Sequence, residues 1–402
     1  MYMQLLRLLA FFITGFFSLG LLWPGTTYAQ DKSPFRISIK TAKNENPYFS
    51  IKALEGNYKV TLTLRGHKKP ASLTIKAESR RLMVDRLNIN AKESKNISFI
   101  VNVKTPQIEG NSKVNLKPRE VGNLNWDDQL TLEFSNPSLV KAIVIEKTND
   151  QRTIYLAGNS TVVDQDEEPW ASWGQMITPF FKPGVAVSNH AASGLSLGSF
   201  LGSHRLDKIL SLLKRGDYVF IEFGHNDQKE KGPADGAYGS YTKRLNLFID
   251  RISEKGAQPV LVTSTARRSF DDNGKTINTL GDYPEAVRKV ARERQVPLID
   301  LNAMSTVFYD ALGVKESKKA FVHYPPNTFP GQTTALADNT HFNTYGAYQL
   351  AKCIVEGIKT TLPELSKYLT DVAAYHPAQP DQPDTFSLPL SPKSSAVKPD
   401  GN

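Results

Sequence analysis

The sequence predicts an α/β domain built on a parallel sheet with helices on both faces, preceded by an all-β sandwich. Two observations carry this prediction. Residues 35–147 read as short alternating strands separated by Gly, Pro and Asn, and from Thr153 onward compact apolar runs alternate with helical patterns.

The first 29 residues stand apart from both. Arg7 supplies a positive charge, Leu8 to Trp23 form an apolar run broken by small residues, and Thr27-Tyr28-Ala29 resembles a cleavage site. This is the pattern of a secretory signal peptide over residues 1–29, with a mature chain starting near Gln30; an uncleaved anchor is the alternative. No later stretch reaches the ~18 apolar residues of a membrane span. The single cysteine, Cys353, rules out an internal disulfide, and none lies near the cleavage site to take a lipid. Export without disulfides points to a bacterial periplasmic or secreted enzyme with a large core. Cys353 itself, in the apolar run Ala351 to Val355, reads as packing.

In the front region, residues 30–150, the alternating segments are Phe35 to Ile39, Tyr58 to Leu64, Ile97 to Val101, Gln129 to Phe134 and Val140 to Ile145. Residues 31–150 carry 21 Lys and Arg against 13 Asp and Glu, whereas residues 151–402 carry 27 of each. Such an excess suits a polyanion, whether nucleic acid, an acidic surface or an acidic polysaccharide, and equally a solvated basic face with no partner. No nucleic-acid-binding motif accompanies it.

In residues 151–370 the buried-strand candidates are Ile154 to Leu156, Val185 to Val187, Tyr218 to Ile221, Val260 to Val262 and Leu298-Ile299, with helical patterns over Phe200 to Leu213, Tyr241 to Ile252 and Tyr283 to Arg294. Ligands of such sheets bind beyond the carboxyl ends of the strands. Residues 371–402 are rich in Pro and Ser and read as a disordered tail.

Four short motifs carry chemistry. Gly158-Asn159-Ser160 follows the first strand, which suits an exposed nucleophile, although such a serine is commonly a helix cap or turn residue. It is not the Gly-x-Ser-x-Gly elbow, because Val162 replaces the second Gly. Gly194, after the second strand, offers a backbone N–H, or is a plain turn glycine. Phe223-Gly224-His225-Asn226-Asp227 follows the third, and an Asn amide there can donate to an oxyanion, or simply turn the chain. Asp338 and His341, three residues apart, can share one turn, with the carboxylate fixing the imidazole tautomer. Metal binding is the rival reading of that pair, but no His-x-x-x-His or Cys-rich cluster completes a site.

The order Gly-x-Ser, Gly, Gly-His-Asn-Asp, Asp-x-x-His resembles the four blocks of the SGNH hydrolases, whose domain is a flavodoxin-like three-layer fold. Residues 153–360 also resemble the rhamnogalacturonan acetylesterases, through Asp164-Gln165, Glu168-Pro169-Trp170, Trp173-Gly174-Gln175-Met176, Asn278 to Pro284 and Asp338 to Ala347. Glu55 to Val60 is similar to the galactose-binding-like module of bacterial members. The resemblance implies a serine esterase acting on acetylated pectin. Its nucleophile would be Ser160, its general base His341 and the orienting acid Asp338. The oxyanion donors would be the N–H groups of Ser160 and Gly194 and the side chain of Asn226, with Trp170, His225 and Asp227 supporting the site or facing substrate. No metal or organic cofactor is implied. The implied partner is an acetylated acidic polysaccharide, with no nucleic acid and no membrane after signal cleavage. The resemblance implies no particular oligomeric state. Two residues depart from the family: Asn159 where Asp is usual, and Leu195 where a polar residue often follows the second-block Gly. An esterase for another glycan such as xylan, or a carbohydrate-binding protein built on a decayed hydrolase, are the rival functions.

Overall fold

The computed structural model describes residues 35–37 and 47–400, so the expected signal peptide lies outside the described residues. The front region is made of β1 (Phe35–Ile37), β2 (Tyr48–Lys52), β3 (Gly56–Arg65), β4 (Ala71–Ala77), β5 (Arg81–Ile89), β6 (Ser94–Val103), β7 (Gln129–Phe134) and β8 (Val140–Thr148). They form two four-stranded antiparallel sheets, ordered β1-β8-β3-β6 and β2-β7-β4-β5. In β3, Val60, Leu62 and Leu64 are buried while Lys59 and Arg65 are exposed, and the inward set joins Leu73, Ile75, Leu130, Leu132 and Ile143 in one core. Alternation thus produced the sandwich it predicted. Strands β2, β4 and β5 were not singled out by alternation. In β4 and β5, polar Lys76 and Arg81 are buried where the sandwich meets the rest of the chain, which breaks the two-residue rhythm.

The second region is a parallel sheet of β9 (Arg152–Gly158), β10 (Val185–Asn189), β11 (Tyr218–Glu222), β12 (Gln258–Val262) and β13 (Leu298–Ile299), ordered β10-β9-β11-β12-β13. This is the doubly wound 2-1-3-4-5 order of flavodoxin-like folds. The sheet has a core on each face. Tyr218 and Phe220 of β11 enter one cluster with Leu156, Val187 and Val260, whereas Val219 and Ile221 enter the other with Tyr155, Ala157 and Leu261. Two buried faces explain why these strands read as unbroken apolar runs.

The helix Tyr283–Arg294 falls where its pattern placed it, and Thr242–Glu254 follows a π-turn at Ala237–Tyr241. The single helix expected over 200–213 is two, Leu197–Gly202 and Arg205–Leu212, separated by His204 at φ 60°. That break turns the Arg205 guanidinium inward to the His190 carbonyl at 3.0 Å. Leu301–Glu316 and Thr344–Thr361 complete the helical layers, and an antiparallel pair, β14 (Phe321–Tyr324) and β15 (Leu336–Phe342), closes the sheet region. Cys353 is fully buried in the Thr344–Thr361 helix, and burial pushes its thiol up to about 12. No helix among the described residues is long and apolar enough to cross a membrane.

The Pro- and Ser-rich segment after residue 370 corrects the expectation of disorder. Several of its apolar side chains find partners, although Leu390 and Val397 stay exposed: Phe386 packs on Tyr345 and Tyr348, with the Arg86 guanidinium 4.6 Å from its ring, and Leu388 is buried. Beyond it, Ser391 Oγ donates to Glu133, Ser395 N donates to Glu168 O at 2.9 Å, and Trp170 Nε1 donates to Ser395 O at 3.1 Å. A low apolar content still orders a segment when a preformed groove receives it.

Candidate active site

The carboxyl ends of β9, β10 and β11 bring the first three motifs to one edge. Gly158 ends β9, and the chain curls back so tightly that a Cβ there would lie 2.5 Å from Val162 Cγ2; only glycine fits. Ser160 follows, 4% exposed. The exits are stitched together: Ala192 N donates to Gly158 O at 3.2 Å, Asn226 Nδ2 to Leu195 O at 3.1 Å, and Leu197 N to Asp227 Oδ1 at 2.9 Å. Gly194 follows Ala192 in this stretch at φ 78°, a left-handed conformation that favours glycine.

The fourth motif arrives from β15. Its pairing with β14 slips between Phe321 and His323, and the extra residues bulge around Asp338. Asp338 Oδ1 accepts from the N–H groups of Thr340 at 2.7 Å and His341 at 3.0 Å, which is the shared turn the spacing predicted. Its Oδ2 lies 2.8 Å from His341 Nδ1, and His341 Nε2 lies 2.8 Å from Ser160 Oγ. Residues 181 positions apart thus meet in one hydrogen-bonded chain. Burial pushes the Asp338 carboxyl up, but the hydrogen bond and charge of His341, with the two N–H groups, outweigh it and hold the group at about 2. The carboxylate therefore stays ionised opposite Nδ1. Trp170 stands edge-on to the His341 ring, with centroids 5.8 Å apart.

Asp227 and His225 are each 2% exposed, and Asp227 accepts from Leu197 N at the sheet edge. Burial raises Asp227 to about 7 against the hydrogen bond from Leu197. Burial, then the charges of Arg267 and His341, push His225 well below the usual imidazole range, so its ring is neutral. Asn159, the departure from the family, accepts from Thr161 N at 3.0 Å and leaves its own Nδ2 buried without a partner among the described residues. Leu195 is buried in the helical layer rather than placed at the mouth of the site.

Several supporting residues were not recognised as such in the sequence. Gln165 Nε2 donates to Ser160 O at 2.9 Å, and Gln175 Nε2 donates to Gln165 O at 2.8 Å and to Ser79 O at 3.0 Å. Glu222, at the end of β11, accepts from Thr161 Oγ1 and Trp173 Nε1, and burial raises it to about 7 despite these bonds. Asp164-Gln165 and Trp173 to Met176, which carry the family resemblance, hold the serine turn in the structure. The front region takes part as well. Arg81 reaches Asp164 Oδ2 through Nη2 at 2.7 Å and Nε at 3.0 Å, while Asp164 Oδ1 accepts from Asn189 at 2.8 Å. Among the described residues no group of three or more His, Cys, Asp and Glu is arranged to hold a metal ion.

A model of the GDSL-like lipase/acylhydrolase family matches residues 156–347. The chain is 47% identical over 208 residues, 51% of its length, to the rhamnogalacturonan acetylesterase RhgT of Bacillus subtilis, of which it covers 89%. The chain belongs to this GDSL-like, SGNH hydrolase family. It is also 34% identical over 209 residues to the probable rhamnogalacturonan acetylesterase YesY of Bacillus subtilis, covering 51% of this chain and 92% of YesY. The crystal structure of Bacillus subtilis YxiM superposes with a TM-score of 0.47 at 25% identity, over 78% of this chain and 80% of that one. As a GDSL-like hydrolase the chain is a carboxylic ester hydrolase.

Proposed function

We propose that this esterase is exported and removes acetyl groups from rhamnogalacturonan through an acyl-enzyme formed on Ser160. The observation that carries the reading is the Ser160–His341–Asp338 chain, with both links at 2.8 Å. His341 Nε2 takes the Ser160 proton as Oγ attacks the acetyl carbonyl, and Asp338 holds the ring and stabilises the imidazolium. The N–H groups of Ser160 and Gly194 and the Asn226 amide receive the oxyanion, each worth about 10²–10³ in rate. The sugar hydroxyl departs with the proton from His341, and water activated by the same ring releases acetate. The substrate class is supported by the relatives named for it and export by the Arg7 to Ala29 pattern.

Ser160→Ala is expected to lower acetate release from acetylated rhamnogalacturonan by at least about 10⁴-fold without changing the thermal unfolding midpoint by more than a few degrees. Near-normal release by the variant excludes the mechanism.

A further inference from the structure

A cavity of about 400 Å³ opens beside the oxyanion turn. Lys117, Arg119 and Trp126 line it from the loop after β6, and Trp170, Ser193 and Asp400 line the opposite side. Its volume lies in the range of small-ligand pockets. Among the described lining residues Asp164 pairs with Arg81, Asp166 with Ser79 at 2.9 Å and Lys393 at 3.2 Å, and Glu120 with Arg205, while Glu167 also lines the cavity. The cations lining it are Lys117 and Arg119.

Both cations face one carboxylate. Asp400 Oδ2 lies 3.3 Å from Lys117 Nζ, and Asp400 Oδ1 lies 3.6 Å from Arg119 Nη1. Lys117 Nζ also donates to Ser193 O at 2.6 Å, the residue before the oxyanion glycine, and its own N–H is held by Glu120, which Arg205 grips at 2.5 Å. A Cβ placed on Gly194 would meet Asp400 Cβ at 2.9 Å and Lys117 Nζ at 3.0 Å. An acidic side chain thus sits on a cation pair within touching distance of the turn where an ester carbonyl would be polarised. The segment bringing it there is anchored upstream by Ser391, Ser395 and Trp170, and its Lys398 Nζ lies 3.5 Å from Asp338 Oδ2.

We propose that Lys117 and Arg119 form a subsite for a uronate carboxylate of the substrate, and that Asp400 occupies this subsite as a stand-in for it. The proposal rests on the polysaccharide reading above and deepens it: the front region supplies the charge that selects an acidic chain, and the segment from Ser395 to Asp400 competes with that chain. A carboxylate fits a Lys–Arg pair by charge-assisted hydrogen bonds, and a neutral acetylated glycan has no group to replace it.

The test measures inhibition of 4-nitrophenyl acetate hydrolysis by oligogalacturonate and by a neutral galactose oligomer of the same length. In wild type, oligogalacturonate is expected to inhibit the more strongly. Arg119→Gln, which leaves the Lys117–Ser193 contact in place, and the Lys117→Ala/Arg119→Gln pair are expected to erode that preference, the pair by about tenfold or more. Asp400→Asn is expected to strengthen oligogalacturonate inhibition severalfold, but not in the double-variant background. Thermal unfolding of each variant checks that it is folded. A preference unchanged by Arg119→Gln and by the pair, or absent in wild type, overturns the subsite; unchanged inhibition in Asp400→Asn overturns the stand-in. Failure of wild type to release acetate from acetylated rhamnogalacturonan while it still cleaves 4-nitrophenyl acetate overturns the substrate reading instead, and the inhibition comparison stands apart from it.

Discussion

Buried charge is handled differently at the seam between the two regions and at the edge of the parallel sheet. At the seam, cations from the sandwich meet acids from the hydrolase side: Arg81 forks onto Asp164, Arg80 Nη2 lies 2.5 Å from Glu168, and Lys76 lies 3.6 Å from Glu168 as well as 3.5 Å from Glu133 of its own sheet. At the sheet edge, the carboxyls of Glu222 and Asp227 are held by hydrogen bonds from neutral donors and are both pushed up to about 7. The comparison bears on the basic excess of residues 31–150. Four of its cations, Lys76, Arg80, Arg81 and Lys104, are buried. Glu78 and Glu133 of the same region are buried with them, so among the described residues burial takes two charges of the excess from the surface, and it lowers Lys104 to about 7. Net charge speaks to a surface only after buried pairs have been subtracted.

The seam gives the largest expected effect. Arg81 and Asp164 are 1% and 0% exposed, so Arg81→Ala strands a carboxylate in the interior and is expected to cost about 3–5 kcal/mol in urea unfolding. Arg81→Met with Asp164→Leu is expected to recover most of it, since packing can replace a buried ion pair but not half of one. A loss below about 1 kcal/mol for Arg81→Ala would show that the seam does not depend on this pair.

The same contrast explains what the sequence disclosed. Strands β9 to β13 were legible because both faces are buried, and Ser160, Asp338 and His341 because their motifs stand at the ends of such strands or within one turn. Strands β4 and β5 were hidden by Lys76 and Arg81, whose burial depends on acids some 50 to 90 positions later. The Leu301–Glu316 helix is interrupted by Gly313 at φ 70°, and Thr344–Thr361 is buried on most sides, so neither shows a clean polar stripe. Gln165, Glu222, Lys117 and Arg119 act through contacts that no local spacing encodes. The tail was misread because composition counts its prolines but not the groove that takes Phe386.

The sheet edge gives a smaller and pH-dependent effect. Asp227 in the folded chain holds its proton to about 7, well above its ordinary value of 3.8, mainly because of burial. Between those two values the unfolded chain has released a proton that the folded chain retains, so stability falls as pH rises and levels off above about 7. Asp227→Asn keeps the oxygen that accepts from Leu197 and removes the titration. It is expected to match wild type near pH 4 and to exceed it by on the order of 2 kcal/mol at pH 8.5. An equal difference at both values would mean that Asp227 does not titrate in this range.

The smallest effect belongs to a cation of the front region that is not in the seam. Lys52 lies 3.3 Å from Asp128, a distance as short as several of the buried pairs, but its side chain is 83% exposed and that of Asp128 56%. Water screens the attraction, and ordering two mobile side chains offsets most of what remains. Lys52→Ala is therefore expected to change unfolding free energy by less than about 0.5 kcal/mol, and added salt is expected to shrink even that difference. Set beside Arg81→Ala, it isolates burial as the variable, because both residues are front-region cations facing an aspartate at hydrogen-bonding or near hydrogen-bonding distance. A comparable loss in both variants would mean that sequence charge, rather than its removal from water, governs the stability of this half of the molecule.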